Sequence, residues 1–128
     1  MIVNSQYQEV KYVSLKDLAA LPPQQTQKYQ TEWNTYTSKF GFPSQGIFND
    51  SNYAQYLSVD GSATRDVLAV SQNSGLVKLY RYPCTEKNSA SKEFRGHGSK
   101  VSRLRFSAQD KYLVSIGGYD QSVLVWEV

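Results

Sequence analysis

The sequence predicts an all-β protein, and three observations carry that prediction. Ten Tyr, five Phe and two Trp stand among 128 residues; aromatic side chains in that number suit the half-buried surface of a pleated sheet. Apolar residues recur with period two in short runs bounded by Gly, Asn, Asp and Ser. One strand-and-turn pattern is also written twice. Ser74-Gly75-Leu76-Val77-Lys78-Leu79-Tyr80 stands against Asp120-Gln121-Ser122-Val123-Leu124-Val125-Trp126, 46 residues further on.

The elements follow in chain order. Gln8–Ser14 alternates and reads as a strand. Ser14, with Asp17 three residues later, has the form of a capping box and predicts a short helix, stopped by Pro22-Pro23. Gln24–Gln30 is a polar, glutamine-rich approach to a strand at Tyr29–Tyr36. Phe40-Gly41-Phe42-Pro43 is a turn. Ala54–Val59 alternates and turns at Gly61-Ser62. Asp66–Ser71 is a strand and Gln72-Asn73-Ser74-Gly75 a turn. Leu76–Tyr82 alternates again until Pro83, which has no N–H for a ladder. Glu86–Ala90 is a polar loop, and Lys92–Arg95 suits an edge strand. Lys100–Ser107, Tyr112–Ile116 and Ser122–Val128 form three strands of an antiparallel meander. Their turns are Ser107–Asp110 and Gly117-Gly118-Tyr119-Asp120.

A repeat of this length with four strands per unit is the period of WD40 propeller blades. A weaker copy, Tyr7–Val13, lies 67 residues before the middle one, so an insertion is expected within Gln24–Ser51. The last unit carries a polar set at blade spacing: Gly96-His97, Ser115, Asp120 and Trp126. The indole N–H can donate to the Ser hydroxyl, the Ser to one His nitrogen, and the other His nitrogen to the Asp carboxylate. The middle unit lacks this set; the 46-residue offset puts Ala69, Ser74 and Tyr80 in the Ser, Asp and Trp positions. Such a network is structural, so His97 and Asp120 are read as blade residues and not as an acid–base pair.

Other chemistry finds little support. No apolar run approaches the length of a spanning helix, and the first 30 residues lack a basic-then-apolar signal, so neither membrane nor secretion is expected. One cysteine, Cys84, permits no intrachain disulfide and fits a reducing compartment. One Cys and one His cannot close a zinc site, and Gly117-Gly118 lacks the lysine of a phosphate loop. No catalytic residue, cofactor or metal is expected. A net charge of +3 is too small to argue for nucleic acid.

Charge is nevertheless uneven. Between positions 87 and 111, seven basic residues face only Glu93 and Asp110, a local net of +5. Lys92, Arg95 and Lys100 flank the start of the last unit, and Arg103 and Arg105 alternate with Val101, Leu104 and Phe106. Two readings stand side by side: a solvated strand face, or a patch for an acidic partner. Tyr36, Phe42, Phe48 and Tyr53 lie in or beside loops; packing between blades is preferred for them over a contact surface.

Three stretches resemble the echinoderm microtubule-associated protein-like family. They are Trp33-Asn34-Thr35-Tyr36-Thr37 with Gly41 and Gly46-Ile47-Phe48; Gly75–Cys84, ending in Tyr-Pro-Cys; and Gly96-His97-Gly98-Ser99-Lys100-Val101 through Gly117-Gly118-Tyr119-Asp120 to Trp126. The chain departs from the family at Gln72-Asn73, where members commonly carry an acidic pair, and at Phe48-Asn49, where they often carry Trp-Pro. The resemblance implies part of a second propeller. Residues 1–37 would be the end of a preceding blade with a connecting loop and strand, 38–95 a degenerate blade, and 96–128 a terminal blade without its last strand. About two blades fall short of the four to eight of a closed propeller, so further blades from the same or another chain are expected. The resemblance implies microtubules, tubulin or axonemal proteins as partners, in the cytoplasm and cytoskeleton or in a cilium or flagellum. A WD40 scaffold without tubulin contact is the alternative.

Overall fold

A computed structural model describes residues 1–5, 9–22, 33–48 and 55–128. The chain is built from antiparallel sheets; a 3₁₀ turn lies at Phe42–Ser44, and there is no α-helix among the described residues. Strands β1 (Ile2–Asn4) and β2 (Val10–Tyr12) form a hairpin. Strands β3 (Tyr56–Gly61), β4 (Val67–Gln72), β5 (Leu76–Arg81) and β6 (Ser91–Arg95) form a four-stranded sheet in sequence order. Strands β7 (Val101–Phe106), β8 (Tyr112–Gly117) and β9 (Val123–Glu127) form a three-stranded sheet in the same order. These are consecutive meanders of partial WD40-type blades, with β3 and β7 packed against each other as the neighbouring inner strands.

Two expectations near the front change. Ser14 to Asp17 is a turn and not a helix. The capping bond is present, since the Asp17 N–H donates to Ser14 Oγ at 3.4 Å. The chain then returns instead of coiling: Val13 bridges Ala20, and the Leu21 N–H donates to the Tyr12 carbonyl at 2.8 Å. β2 thus lies between β1 and the returning chain, and this pairing competes with helix for the same backbone groups. The strand expected at Tyr29–Tyr36 begins outside the described residues; Trp33 to Tyr36 contains no strand. Tyr36 makes one sheet-like bond, its carbonyl accepting from the Gly61 N–H at 2.9 Å. Pro23, Gln24–Gln30 and Tyr53 also lie outside the described residues, as do the starts of the Gln8–Ser14 and Ala54–Val59 strands.

The two larger sheets share one register. Both have a bulge at the same step, between Tyr56 and Ser58 and between Val101 and Arg103. Leu68 lies opposite Tyr80, and Leu113 opposite Trp126. Ser71 pairs with Val77 and Ile116 with Val123, so six residues join the last pair across β8 and β9 where five join it across β4 and β5. Val70, two residues beyond Leu68, therefore stands where Ser115 stands, two beyond Leu113. The fixed 46-residue offset had placed Ala69 there.

The core is in two parts. Tyr36, Ile47, Phe48 and Cys84 from the connecting segments pack with Tyr56, Val59, Leu68, Val70 and Tyr80 on one face of the four-stranded sheet. Ala69 and Val77 on its other face pack with Val101, Leu104 and Leu113, with Trp126 and Phe106 at the margin. This second cluster joins the two sheets. Tyr36 and Phe48 are therefore packing residues, 2% and 5% exposed, and Phe42 is half-buried.

Candidate functional site: a buried polar network and the cations around it

The structure brings His97, Ser115, Asp120 and Trp126 together. His97 lies in the short link from β6 to β7, Ser115 in the middle of β8, Asp120 in the β8–β9 turn and Trp126 on β9. The Trp126 Nε1–H donates to Ser115 Oγ at 2.8 Å, and Ser115 Oγ lies 2.7 Å from His97 Nε2. His97 Nδ1 lies 3.1 Å from Asp120 Oδ2 and 2.9 Å from Ser122 Oγ. One proton assignment satisfies the chain: the indole gives to the serine, the serine gives to Nε2, and Nδ1–H gives to the carboxylate. Ser122 is a fifth member that the spacing argument did not single out.

Asp120 is further held by the Gly98 N–H at 3.0 Å and the Ser122 N–H at 3.3 Å. Desolvation works to raise its pKa, but hydrogen bonds from the Ser122 backbone, His97, the Ser122 hydroxyl and the Gly98 backbone outweigh it and hold the carboxyl below its ordinary range. Ser99 Oγ accepts from the Tyr119 and Asp120 N–H groups, both at 3.1 Å, and fixes the turn. Two glycines make room. A Cβ at Gly96 would meet the Trp126 ring, and one at Gly117 would overlap the Asp120 carboxylate. The His97 side chain is 0% exposed, with both ring nitrogens engaged. It has no free lone pair to offer a substrate, so this arrangement holds a hairpin in place.

The basic residues named from the sequence do not share one surface. Lys92 and Arg95 lie on β6, the edge of the four-stranded sheet farthest from β3. Lys100 lies before β7, its Nζ 4.4 Å from the Tyr119 ring centroid. Arg103 and Arg105 lie on the inner strand β7, exposed and two residues apart, so they share a face. The linear density of charge thus separates into an outer edge, a turn and an inner strand.

Sequence reasoning missed the clamps between the two sheets. The Leu104 N–H donates to Ser58 Oγ at 3.4 Å, and the Phe106 N–H to Asp60 Oδ2 at 2.8 Å. Asp110 accepts from the Ala63 and Thr64 N–H groups at 2.8 and 2.9 Å. Arg105 Nη1 donates to the Val59 carbonyl at 3.4 Å. Among the described residues β7 has no ladder partner on its inner edge, and these side chains satisfy groups that would otherwise be left open. Polar residues at alternate positions of β3, Ser58 and Asp60, were the available signal.

Comparison with known proteins agrees with this geometry. The profile of the family described as "Echinoderm microtubule-associated protein second beta-propeller" matches residues 1–128. Echinoderm microtubule-associated protein-like 3 of Mus musculus is 40% identical over 98 residues, covering 76% of this chain and 11% of that protein. Echinoderm microtubule-associated protein-like 4 of Mus musculus is 29% identical over 126 residues, covering 98% of this chain and 13% of that protein. The ciliary WD repeat-containing protein ctxp80 of Euplotoides octocarinatus is 28% identical over 120 residues, 93% of this chain and 17% of that protein. The chain thus spans between a tenth and a fifth of the length of these relatives. The match along all 128 residues and the WD40-type sheets place the chain in the echinoderm microtubule-associated protein family, within its second β-propeller.

Proposed function

We propose that the chain is non-catalytic and acts as part of a microtubule-associated WD-repeat protein of the cytoskeleton, contacting the tubulin lattice or axonemal proteins. The observation that carries this reading is the family match over residues 1–128. The names of the relatives support it: two are microtubule-associated protein-like, and one is ciliary. The division into residues 1–37, 38–95 and 96–128 belongs to the same reading, with the last unit lacking one strand and the propeller completed by further blades. Cytoplasmic microtubules are the expected location, and a cilium or axoneme is the specialised form of it.

Co-sedimentation of the purified chain with microtubules tests this, at low and at physiological salt and against a tube without microtubules. Salt-sensitive pelleting that requires microtubules is the expected result. A soluble chain that ignores microtubules at both salts would sink the reading for this part of the propeller. One observation favours a second reading, a protein scaffold without tubulin contact: Ile116, Val123 and Val125 leave an exposed apolar face on the last sheet, at 44%, 61% and 64% exposure. Capture of a stable non-tubulin partner that leaves microtubule binding absent would favour it.

A further inference from the structure

The turn that follows β2 puts leucines into water. Leu15 and Leu18 are 69% and 79% exposed, and Leu21 is exposed beside them. Leu18 takes φ 52°, in the left-handed region that bulky side chains rarely adopt. The turn is nonetheless fixed. The Asp17 N–H donates to Ser14 Oγ at 3.4 Å, Ser14 Oγ donates to Asp17 Oδ2 at 3.3 Å, and the Ser14 N–H donates to the Ala19 carbonyl at 3.0 Å. A strained leucine held with its side chain outward points to a contact made outside this fold.

The last sheet carries a second exposed apolar surface. Arg103, Ile116 and Val123 pair in one row across β7, β8 and β9, and Val114 pairs with Val125 in the next. Partners across a ladder share a side of the sheet, so Ile116, Val123, Val114 and Val125 form the centre of one face. Arg103 lies at its β7 margin, and Glu127, two residues beyond Val125, lies at its β9 margin. Leu104, Leu113 and Trp126 belong to the other face, which packs on the four-stranded sheet.

The two surfaces match in chemistry and in shape. Both have an apolar centre, and both carry exposed charges of each sign: Lys16 and Asp17 on the turn, Arg103 and Glu127 beside the face. A turn with both signs can meet a face with both signs without net repulsion. A protruding turn also fits against a broad sheet surface. Within one copy Leu15 and Val123 are each more than half exposed, so the two surfaces do not cover each other there.

We propose that the turn carrying Leu15 and Leu18 in one copy docks on the face formed by Ile116, Val123 and Val125 in a second copy. Such a contact is heterologous and builds head-to-tail assemblies rather than a closed pair. It is small, so the association is weak. The inference goes beyond the lattice reading above and does not depend on tubulin contact.

Sedimentation velocity of the purified chain over a wide concentration range tests it, with L15S/L18S as the turn variant and V123T/V125T as the face variant. Both change exposed side chains, and Thr keeps the strand preference of Val. L18G, which suits the left-handed backbone, replaces the turn variant if near-UV circular dichroism shows a disturbed fold. The average mass of the original chain should rise with concentration, and each variant alone should associate about tenfold more weakly or less. A one-to-one mixture of the two variants should regain a dimer and stop there, because one supplies the intact face and the other the intact turn. A chain that stays monomeric at every concentration overturns the proposal. So does either variant alone associating as strongly as the original, which would mean that like surfaces meet. A mixture that stays monomeric while the original chain associates overturns it as well.

Discussion

The four-stranded and three-stranded sheets are two solutions to one folding problem. Their first two strands pair in the same register with the bulge at the same step, and in each a Leu faces an aromatic residue across the second hairpin. The chemistry beside that pair differs. In the four-stranded sheet Val70, Leu68 and Tyr80 belong to an apolar cluster covered by the Tyr36 and Phe48 segments. In the three-stranded sheet Ser115 and Trp126 join His97 and Asp120 in a hydrogen-bonded chain. The ladder sets the geometry, and what covers the sheet decides which side chains stabilise it. Where both faces are packed, apolar residues suffice. Where, among the described residues, one face and the β9 edge are open, the polar chain ties the last hairpin to the link that precedes β7.

Trp126 offers the strongest way to break that comparison. Trp126→Ala removes a half-buried ring from the cluster joining the sheets and leaves Ser115 without its donor. The expected loss is about 3 kcal/mol, the low end of the range for a large aromatic. Trp126→Tyr installs the residue that the other sheet uses at this position and should recover more than half of the loss. Cooperative unfolding in urea checks both. A loss below about 1 kcal/mol for the Ala variant would mean that the ring does not help hold the two sheets together.

Exchanging the small residues sharpens the same point. Ser115→Val gives the last sheet the residue of its neighbour and strands the indole N–H and His97 Nε2, at a cost of about 1–2 kcal/mol. Val70→Ser puts a hydroxyl into a fully buried apolar site and should cost a similar amount or slightly more. If Ser115→Val were stabilising, the network would be dispensable, and the two sheets would differ in composition without differing in mechanism.

These residues also show what was legible in the sequence. His97, Ser115, Asp120 and Trp126 could be picked out because their donor and acceptor capacities match at blade spacing, a pattern that chance rarely supplies. The strands from Ala54 onward were legible from period-two alternation and from turn formers. The position of Val70 was not, because a single extra residue in a turn shifts every alignment on one side of it. The Ser14 turn was misread because a capping bond is local, whereas the pairing of Val13 with Ala20 decides the outcome. The clamps from Ser58 and Asp60 were invisible for a related reason. Each depends on which residues the inner strands bring together, and local patterning carries no record of that.

The smallest expected effect separates the two sheets by pH. Asp60 and Asp120 each accept backbone N–H bonds, yet they titrate in opposite directions. Burial raises the Asp60 pKa, against the bond from Phe106 and the charge of Arg105. Asp120 is held below the ordinary value of 3.8 by its hydrogen bonds. Asp120 therefore contributes stability that is present above its unfolded pKa and lost as pH falls through its folded pKa. Asp60 does the reverse: protonation favours the fold, and that contribution disappears as pH rises through its raised folded pKa. On acidification the two partly offset each other. Asp120→Asn should flatten the acid fall in stability, and Asp60→Asn, which keeps an acceptor for the Phe106 N–H, should steepen it. Unfolding midpoints measured from neutral pH down through the carboxylate range decide this. Identical slopes in the two variants would mean that the carboxylates share one electrostatic environment, and that the contrast between buried clamp and hydrogen-bonded turn has no energetic content.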